Sequence, residues 1–371
     1  MISIAPTRLK ARLVAFPPAD RAAAAVAELI GALVALLPHL IWGLRTGHPE
    51  WVASNDELAC YLSVASQAYY NHPAWLGDVV RVSGGASVYP WLQFVPGIVV
   101  ARCLGLGATG VLLVWRFIAG VTIGAGLFLL LRHFIRRPWL AAGLAGLLMV
   151  DSGFIWARPL FQQAFVLSDL LRASGPGWLF GSSPVLLLQW RVITPGLSLF
   201  YLLLHLWMVA RAREHPTRRR LLLAGVSLGL LFYAYFYFWT AAGLGLLLAI
   251  AADWPNRKVY FQTGWLGSLL GLPAVLTSLW LTHTTNPDWP QRTKLFIPIG
   301  HFQDLWVAPG AIVLVVAGLV WVRWRRRELS HLWAVATAGF LLMNHQSITG
   351  LQLCNDHWGY VRGIGFTLLF V

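Results

Sequence analysis

The stretch Trp51-Val52-Ala53-Ser54-Asn55-Asp56-Glu57-Leu58-Ala59-Cys60-Tyr61, continuing to Asn71-His72-Pro73, is polar and acid-bearing and follows directly on the first long apolar run of the chain. Ser54 followed three residues later by Glu57, with an amphipathic run behind, has the pattern of a helix N-terminus closed by a capping box. Two adjacent carboxylates, Asp56 and Glu57, thereby stand at the start of a short helix. Acids in a first turn are favoured by the helix dipole, and Glu57 has work to do as the cap. The cap has no use for Asp56, which makes that side chain the one to ask about. The rest of the chain reads as scaffold around this segment.

The 371 residues are 58% hydrophobic and only 11% charged, with a mean hydropathy of +0.65. That composition is too apolar for an ordinary soluble domain and predicts a polytopic membrane protein. The apolar run 22–44, preceded by Arg8, Lys10, Arg12 and Arg21, is long enough to cross at roughly 20 residues per span. It is too long for a cleaved signal peptide and no small-residue cleavage site follows it. Further apolar runs cover 111–131, 139–157, 192–210, 221–253, 263–281, 305–322 and 331–345. Between them lie the basic clusters Arg132/Arg136/Arg137, Arg211/Arg213/Arg218/Arg219/Arg220, Arg257/Lys258 and Arg323/Arg325/Arg326/Arg327.

Cytoplasmic loops of membrane proteins collect Lys and Arg, and placing every cluster inside has two consequences by parity. The run 221–253 is too long for one span and basic at both ends, so it goes out and back as a hairpin broken near Tyr233-Ala-Tyr-Phe-Tyr-Phe-Trp239. The run 89–102, short and carrying Pro90 and Pro96, does not cross and is expected to lie along the surface. The expected fold is therefore an all-α polytopic bundle of nine to ten transmembrane helices. It forms one domain over 1–371, with an inside N-terminus and surface helices in a first outer loop at 45–110. The other outer loops are expected at 158–191, 282–304 and 344–362. The last apolar run, 364–371, is too short to cross; it is expected to be a span cut short by the chain end, the alternative being an end packed at the outer surface.

The formal net charge of +14 is mostly absorbed by that inner bias, so nucleic acid is not an expected partner. Ten basic residues are left over: Arg45, Arg81, Arg102, Arg116, Arg158, Arg172, Arg191, Arg292, Lys294 and Arg362. Three scattered cysteines, Cys60, Cys103 and Cys354, have neither metal-ligand nor disulfide-framework spacing and are read as packing residues.

An inside N-terminus, one span, and a long outer loop that opens with Asp56-Glu57 and continues into surface helices resemble the GT-C membrane glycosyltransferases, such as the protein O-mannosyltransferases, lipid A aminoarabinose transferases and oligosaccharyltransferases. The likeness covers most of the chain as topology, whereas its motifs are only the Asp-Glu pair and an Arg plus Asp in the second outer loop. The resemblance implies transfer of a sugar from a polyprenyl-phosphate donor to an acceptor hydroxyl at the outer face, periplasmic or lumenal. It implies Asp56 as the base, Glu57 beside it, and Asp169 as the second-loop acid, although Asp169 follows Arg158 at a looser spacing than the family's.

The chemistry asked of such a site fits these residue types. A carboxylate within hydrogen-bond reach takes the acceptor's proton as the bond to the anomeric carbon forms, and guanidinium groups grip the departing phosphate bidentately. Arg158, Arg172 and Arg191 are expected at headgroup depth; their alternative is snorkelling to lipid or pairing with Asp151 and Asp169. Asn344, His345, Gln346, Thr349 and Gly350 end a span with hydrogen-bonding groups. With His357 and Trp358 they read as a wall for sugar hydroxyls, helix capping being the plainer alternative. The aromatic block 232–239 is read as hairpin packing and interface anchoring. No cofactor is implied, and a divalent metal is left open. The expected partners are the lipid-linked sugar and the bilayer, the acceptor being unassigned. Two other classes share these features: a flippase or transporter of lipid-linked sugars, and a polysaccharide polymerase or ligase working through outer Arg and His.

Overall fold

The computed structural model describes residues 17–48, 62–70, 91–150, 196–284, 295–301, 309–353 and 357–370. About 89% of them are helical. In chain order the helices are α1 Pro18–Thr46, α2 Ser63–Tyr70, α3 Trp91–Cys103, α4 Gly107–Phe134, α5 Pro138–Val150, α6 Ser198–Glu214, α7 Arg218–Ala234, α8 Phe236–Ala252, α9 Arg257–Thr284, α10 Pro309–Trp324, α11 Ser330–Met343, α12 Gln346–Thr349 and α13 His357–Phe370. Two stretches, Gly107–Phe134 and Trp254–Thr284, are long and apolar enough to cross a membrane. The apolar stretches Phe94–Cys103, Pro138–Met149, Phe236–Ala252 and Ile312–Trp324 are shorter.

Small residues at a stride of four bring helices into backbone contact. On α1 the residues Ala23, Ala27, Gly31 and Ala35 recur every four positions and face α4. A Cβ on Gly31 would meet Gly120 O at 2.1 Å, one on Gly120 would meet Gly31 O at 2.3 Å, and one on Gly124 would meet Ala27 O at 2.4 Å. The order of these pairs makes α1 and α4 antiparallel, and the small-xxx-small spacing lets their backbones approach closely. The α7–α9 pair solves the same problem with knobs and hollows. Leu266 and Leu270 of α9 fill the hollows over Gly225 and Gly229, while Leu228 and Phe232 of α7 fill those over Gly267 and Gly271. Both sets of partners rise together along the chain, so α7 and α9 are parallel.

The break at Tyr235, with extended backbone at φ −159° and ψ 124°, turns the chain back as the parity of the basic clusters predicts. Phe232 and Trp239 stack at 4.3 Å on either side of it. The return is closed where Arg213, at the end of α6, meets Asp253 just beyond α8 at 2.6 Å. Asp253 is 1% exposed and also accepts from Tyr260 at 2.9 Å and from Asn256 at 3.1 and 3.0 Å. Nearby, Arg220 at the start of α7 donates to Arg211 O, Arg132 at the end of α4 forks onto Asp20 at 2.9 and 3.2 Å, and Phe134 stacks on His331 at the start of α11. The described basic clusters thus gather at one end of the bundle, with successive long helices alternating in direction. Two cations of those clusters, Arg132 and Arg213, are ties between helices.

Away from that end, α2 and α3 dock on the head of α4. Gly107 N donates to the Tyr69 hydroxyl at 3.1 Å, and Trp115 Nε1 donates to Phe94 O at 3.1 Å. Gly97 is needed here because a Cβ would lie 2.2 Å from the Trp115 ring. At 13 residues, with Pro96 inside it, α3 is about 20 Å long, short of a crossing.

Four details differ from the sequence reading. α4 begins at Gly107, inside the stretch assigned to the first outer loop, because the helix extends past the end of its strongly apolar run. Residues 357–362, assigned to an outer loop, open α13, whose later residues are buried against α11 with Gly365 on Ala336 and Gly339 on Arg362 N. An antiparallel ribbon, β1 Leu295–Pro298 with β2 Leu351–Leu353, joins two stretches read as separate loops. Cys103 is exposed and so does not pack, while Cys60 and Cys354 lie outside the described residues.

Candidate functional site

At the end away from the basic clusters, the reversal at Tyr235, the first turn of α8, α12, β2 and the head of α13 converge. They bring together Tyr235, Tyr237, Thr240, His345, Thr349, His357 and Trp358. The Tyr235 hydroxyl and His357 Nδ1 share a hydrogen bond of 2.5 Å. With the phenol donating, the imidazole carries its own proton on Nε2. The Tyr237 hydroxyl donates to Leu353 O at 2.7 Å, which ties the hairpin to β2. Trp358, 1% exposed, satisfies its indole N–H on Thr240 Oγ1 at 2.9 Å. The rings pack in a continuous set, Tyr237 against His357 at 4.7 Å and Trp358 at 4.9 Å, and Trp358 edge-on to His345 at 5.1 Å.

α12 is a single turn closed by Gly350 at φ 67°, and the ribbon holds it because Ile299 N and Gly300 N both donate to Gly350 O. Within it His345 Nδ1 bonds Thr349 Oγ1 at 2.9 Å, and His301 reaches Ser347 O with its own Nδ1 at 3.3 Å. The side-chain amide of Asn344 turns back to donate to Phe340 O at 3.0 Å, the local role its position at the end of α11 suggested.

Of the residues singled out in the sequence, the structure therefore links His345 to His357 through the rings of Trp358 and Tyr237, with Asn344 beside them closing a helix. Asp56, Glu57, Asp169, Arg158, Arg172 and Arg191 lie outside the described residues, as does Asp151. Among the described residues no three His, Cys, Asp or Glu side chains form a metal-ligand cluster.

Two features were not read from the sequence. Tyr235 and Tyr237, each 7% exposed, pack as expected of the aromatic block, but their hydroxyl bonds to His357 and to Leu353 O were not foreseen; the available signal was three tyrosines at alternate positions in an otherwise apolar turn. Arg116 and His39 are also buried, at 2% and 1% exposed. Arg116 is one turn beyond Gly120 on the α1-facing stripe of α4, and His39 is one turn beyond Ala35 on the facing stripe of α1. Each continues the four-residue spacing of the small residues, which is the pattern that would have revealed it.

Searches against protein-family models, curated proteins and solved structures return no match to this chain.

Proposed function

We propose that the chain is an integral membrane glycosyltransferase that moves a sugar from a polyprenyl-phosphate donor to an acceptor hydroxyl, with its site at the end of the bundle away from the basic clusters. The observation that carries this reading is the aromatic and imidazole cluster of Tyr235, Tyr237, His345, His357 and Trp358 at that end. A sugar presents apolar C–H faces and a rim of hydroxyls. The half-buried His345 and His357 rings, backed by the buried Tyr235, Tyr237 and Trp358, offer an apolar body and a polar tip that complement both. The described residues flanking Asp56 and Glu57 belong to the same end: α1 arrives there at Thr46, and α2 carries Tyr69 to the head of α4. Val150, the last residue of α5, and Gly196, two residues before α6, which flank Arg158, Asp169, Arg172 and Arg191, likewise lie at the end away from the basic clusters.

The membrane reading draws on the exterior of the bundle. Its interior seams are rich in Ala and Gly, whereas Leu29, Leu33, Leu44, Phe261, Trp265, Leu276, Trp280 and Val313 are all more than half exposed. An apolar exterior of this extent is a liability in water and a match for lipid. We take the helices that alternate between the two ends as crossings, nine to ten in all, with the basic end cytoplasmic.

The test is transfer from a radiolabelled polyprenyl-phosphate sugar by the purified chain, with Asp56→Asn as the comparison. A parental rate in that variant removes Asp56 as the base. The buried polar residues His205, Ser227, Thr263, His331 and Thr337 along the helices favour a second reading, the lipid-linked-sugar flippase. Movement of donor across vesicles without product formation would select it.

A further inference from the structure

At the basic end, outside the site just described, a crevice of about 280 Å³ is lined by Ile250, Trp254, Arg257, Lys258, Phe261 and Gln262. Two of these six lining residues, Arg257 and Lys258, are cations. The Arg257 guanidinium lies over the Trp254 ring at 4.7 Å and donates to Trp254 O at 3.2 Å, so its position is held by groups that leave its charge unneutralised. Asp253, the nearest acid in sequence, is taken by Arg213, Asn256 and Tyr260. Neither Arg257 nor Lys258 has a carboxylate partner among the described residues. Both occupy the first turn of α9, where the helix dipole disfavours positive charge, and an anion in the crevice would relieve both costs.

From the crevice an exposed apolar stripe descends α9 through Phe261, Trp265, Leu269, Leu272, Leu276 and Leu279, spaced three or four residues apart and between 48% and 67% exposed. At 1.5 Å per residue it runs for about 27 Å, close to the roughly 30 Å of a hydrocarbon core. Two cations at the head of such a stripe complement an amphiphile with an anionic head and a long apolar tail.

We propose that this crevice binds the phosphate of an anionic phospholipid, its acyl chain lying along the α9 stripe. The crevice is smaller than most small-molecule pockets, which hold roughly 300–1,000 Å³, and so suits a headgroup with the tail outside. The proposal rests on the membrane reading and is independent of the glycosyl-transfer reading.

The test titrates the purified full chain in neutral detergent with dioleoyl phosphatidylglycerol, dioleoyl phosphatidylcholine or inorganic phosphate, read by native mass spectrometry and by the melting temperature. Phosphatidylglycerol should bind and raise Tm, whereas phosphatidylcholine, whose choline offsets the phosphate, and free phosphate should not. The double variant Arg257→Gln/Lys258→Gln changes two side chains that hold no ion pair, so it should fold. It should lose about thirtyfold in phosphatidylglycerol affinity, the effect of two basic residues at a membrane surface. Unchanged affinity in that variant overturns the crevice, and an equal response to free phosphate overturns the lipid as its occupant. Recovery of the chain in the soluble fraction would sink the membrane reading and this proposal together. Failure of sugar transfer with phosphatidylglycerol binding intact would count only against the proposed enzyme.

Discussion

Asp56 carries the most specific expectation at the scale of single residues. Asn at this position preserves size and still caps a helix but does not accept a proton, so Asp56→Asn should fold and bind donor yet transfer slower by about a hundredfold or more, the loss for a missing general base. Glu57→Gln keeps the capping geometry and should cost less. A single-turnover assay with bound donor separates the two, and equal losses in both variants would remove the distinction between base and cap. Tyr235 gives a second expectation. Tyr235→Phe deletes the hydroxyl that bonds His357 Nδ1, which should raise KM for the sugar substrate while lowering stability by only about 1 kcal/mol, the net value of one hydrogen bond. A fall in kcat with KM unchanged would place the pair in the chemistry instead of in binding. His345 and His357 were legible in the sequence because each interrupts or borders an apolar run. The tyrosines were not, because an aromatic in an apolar turn looks the same whether its hydroxyl is used or idle, and the partner of Tyr235 lies 122 residues away.

Between elements, the glycine stripes decide which helices can touch. Gly120→Ala puts a methyl group 2.3 Å from Gly31 O, and since the obstacle is backbone it cannot rotate away. The variant should lose at least about 1–3 kcal/mol, the usual cost of overpacking, in thermal unfolding. Gly143→Ala, with nothing within 4 Å of the added Cβ, serves as the neutral control. The hairpin has its own lock: Asp253→Ala leaves the Arg213 side chain, 16% exposed, without its counter-charge, and breaking a buried pair costs about 3–5 kcal/mol. Restoration of that loss by Arg213→Met would show that the isolated cation, and not the missing carboxylate, is what the fold fails to tolerate. The hairpin itself was legible because charge at both ends of an overlong apolar run leaves one geometric solution. The β1–β2 ribbon was not, since strands of four and three residues have no periodicity to detect and their pairing is set by tertiary contact. α13 was misjudged for a related reason: His357 and Arg362 interrupt the hydropathy of a helix that is nonetheless buried along its length.

The molecule as a whole is polar from end to end. The pairing of Asp20 with Arg132 and of Arg213 with Asp253, together with the contact of Phe134 on His331, collects the chain's described basic clusters at one end. The parity of the basic clusters along the sequence requires the same grouping. Positive charge is retained on the cytoplasmic side during insertion, so the opposite end, with the aromatic and imidazole cluster, should face outward. Cys103 supplies a natural reporter, because it is exposed at the end of α3, just before α4 begins at Gly107. In a chain with Cys60 and Cys354 replaced by Ser, a membrane-impermeant maleimide applied to intact cells should label Cys103. In the same background a cysteine placed at Arg136, beside the end of α4, should react only after the membrane is opened. The reverse pattern would invert the orientation and move the proposed sugar site to the cytoplasm. Labelling of both positions in intact cells would mean that the two ends are not separated by a bilayer at all, and the exposed apolar stripe of α9 would then need a protein partner to cover it.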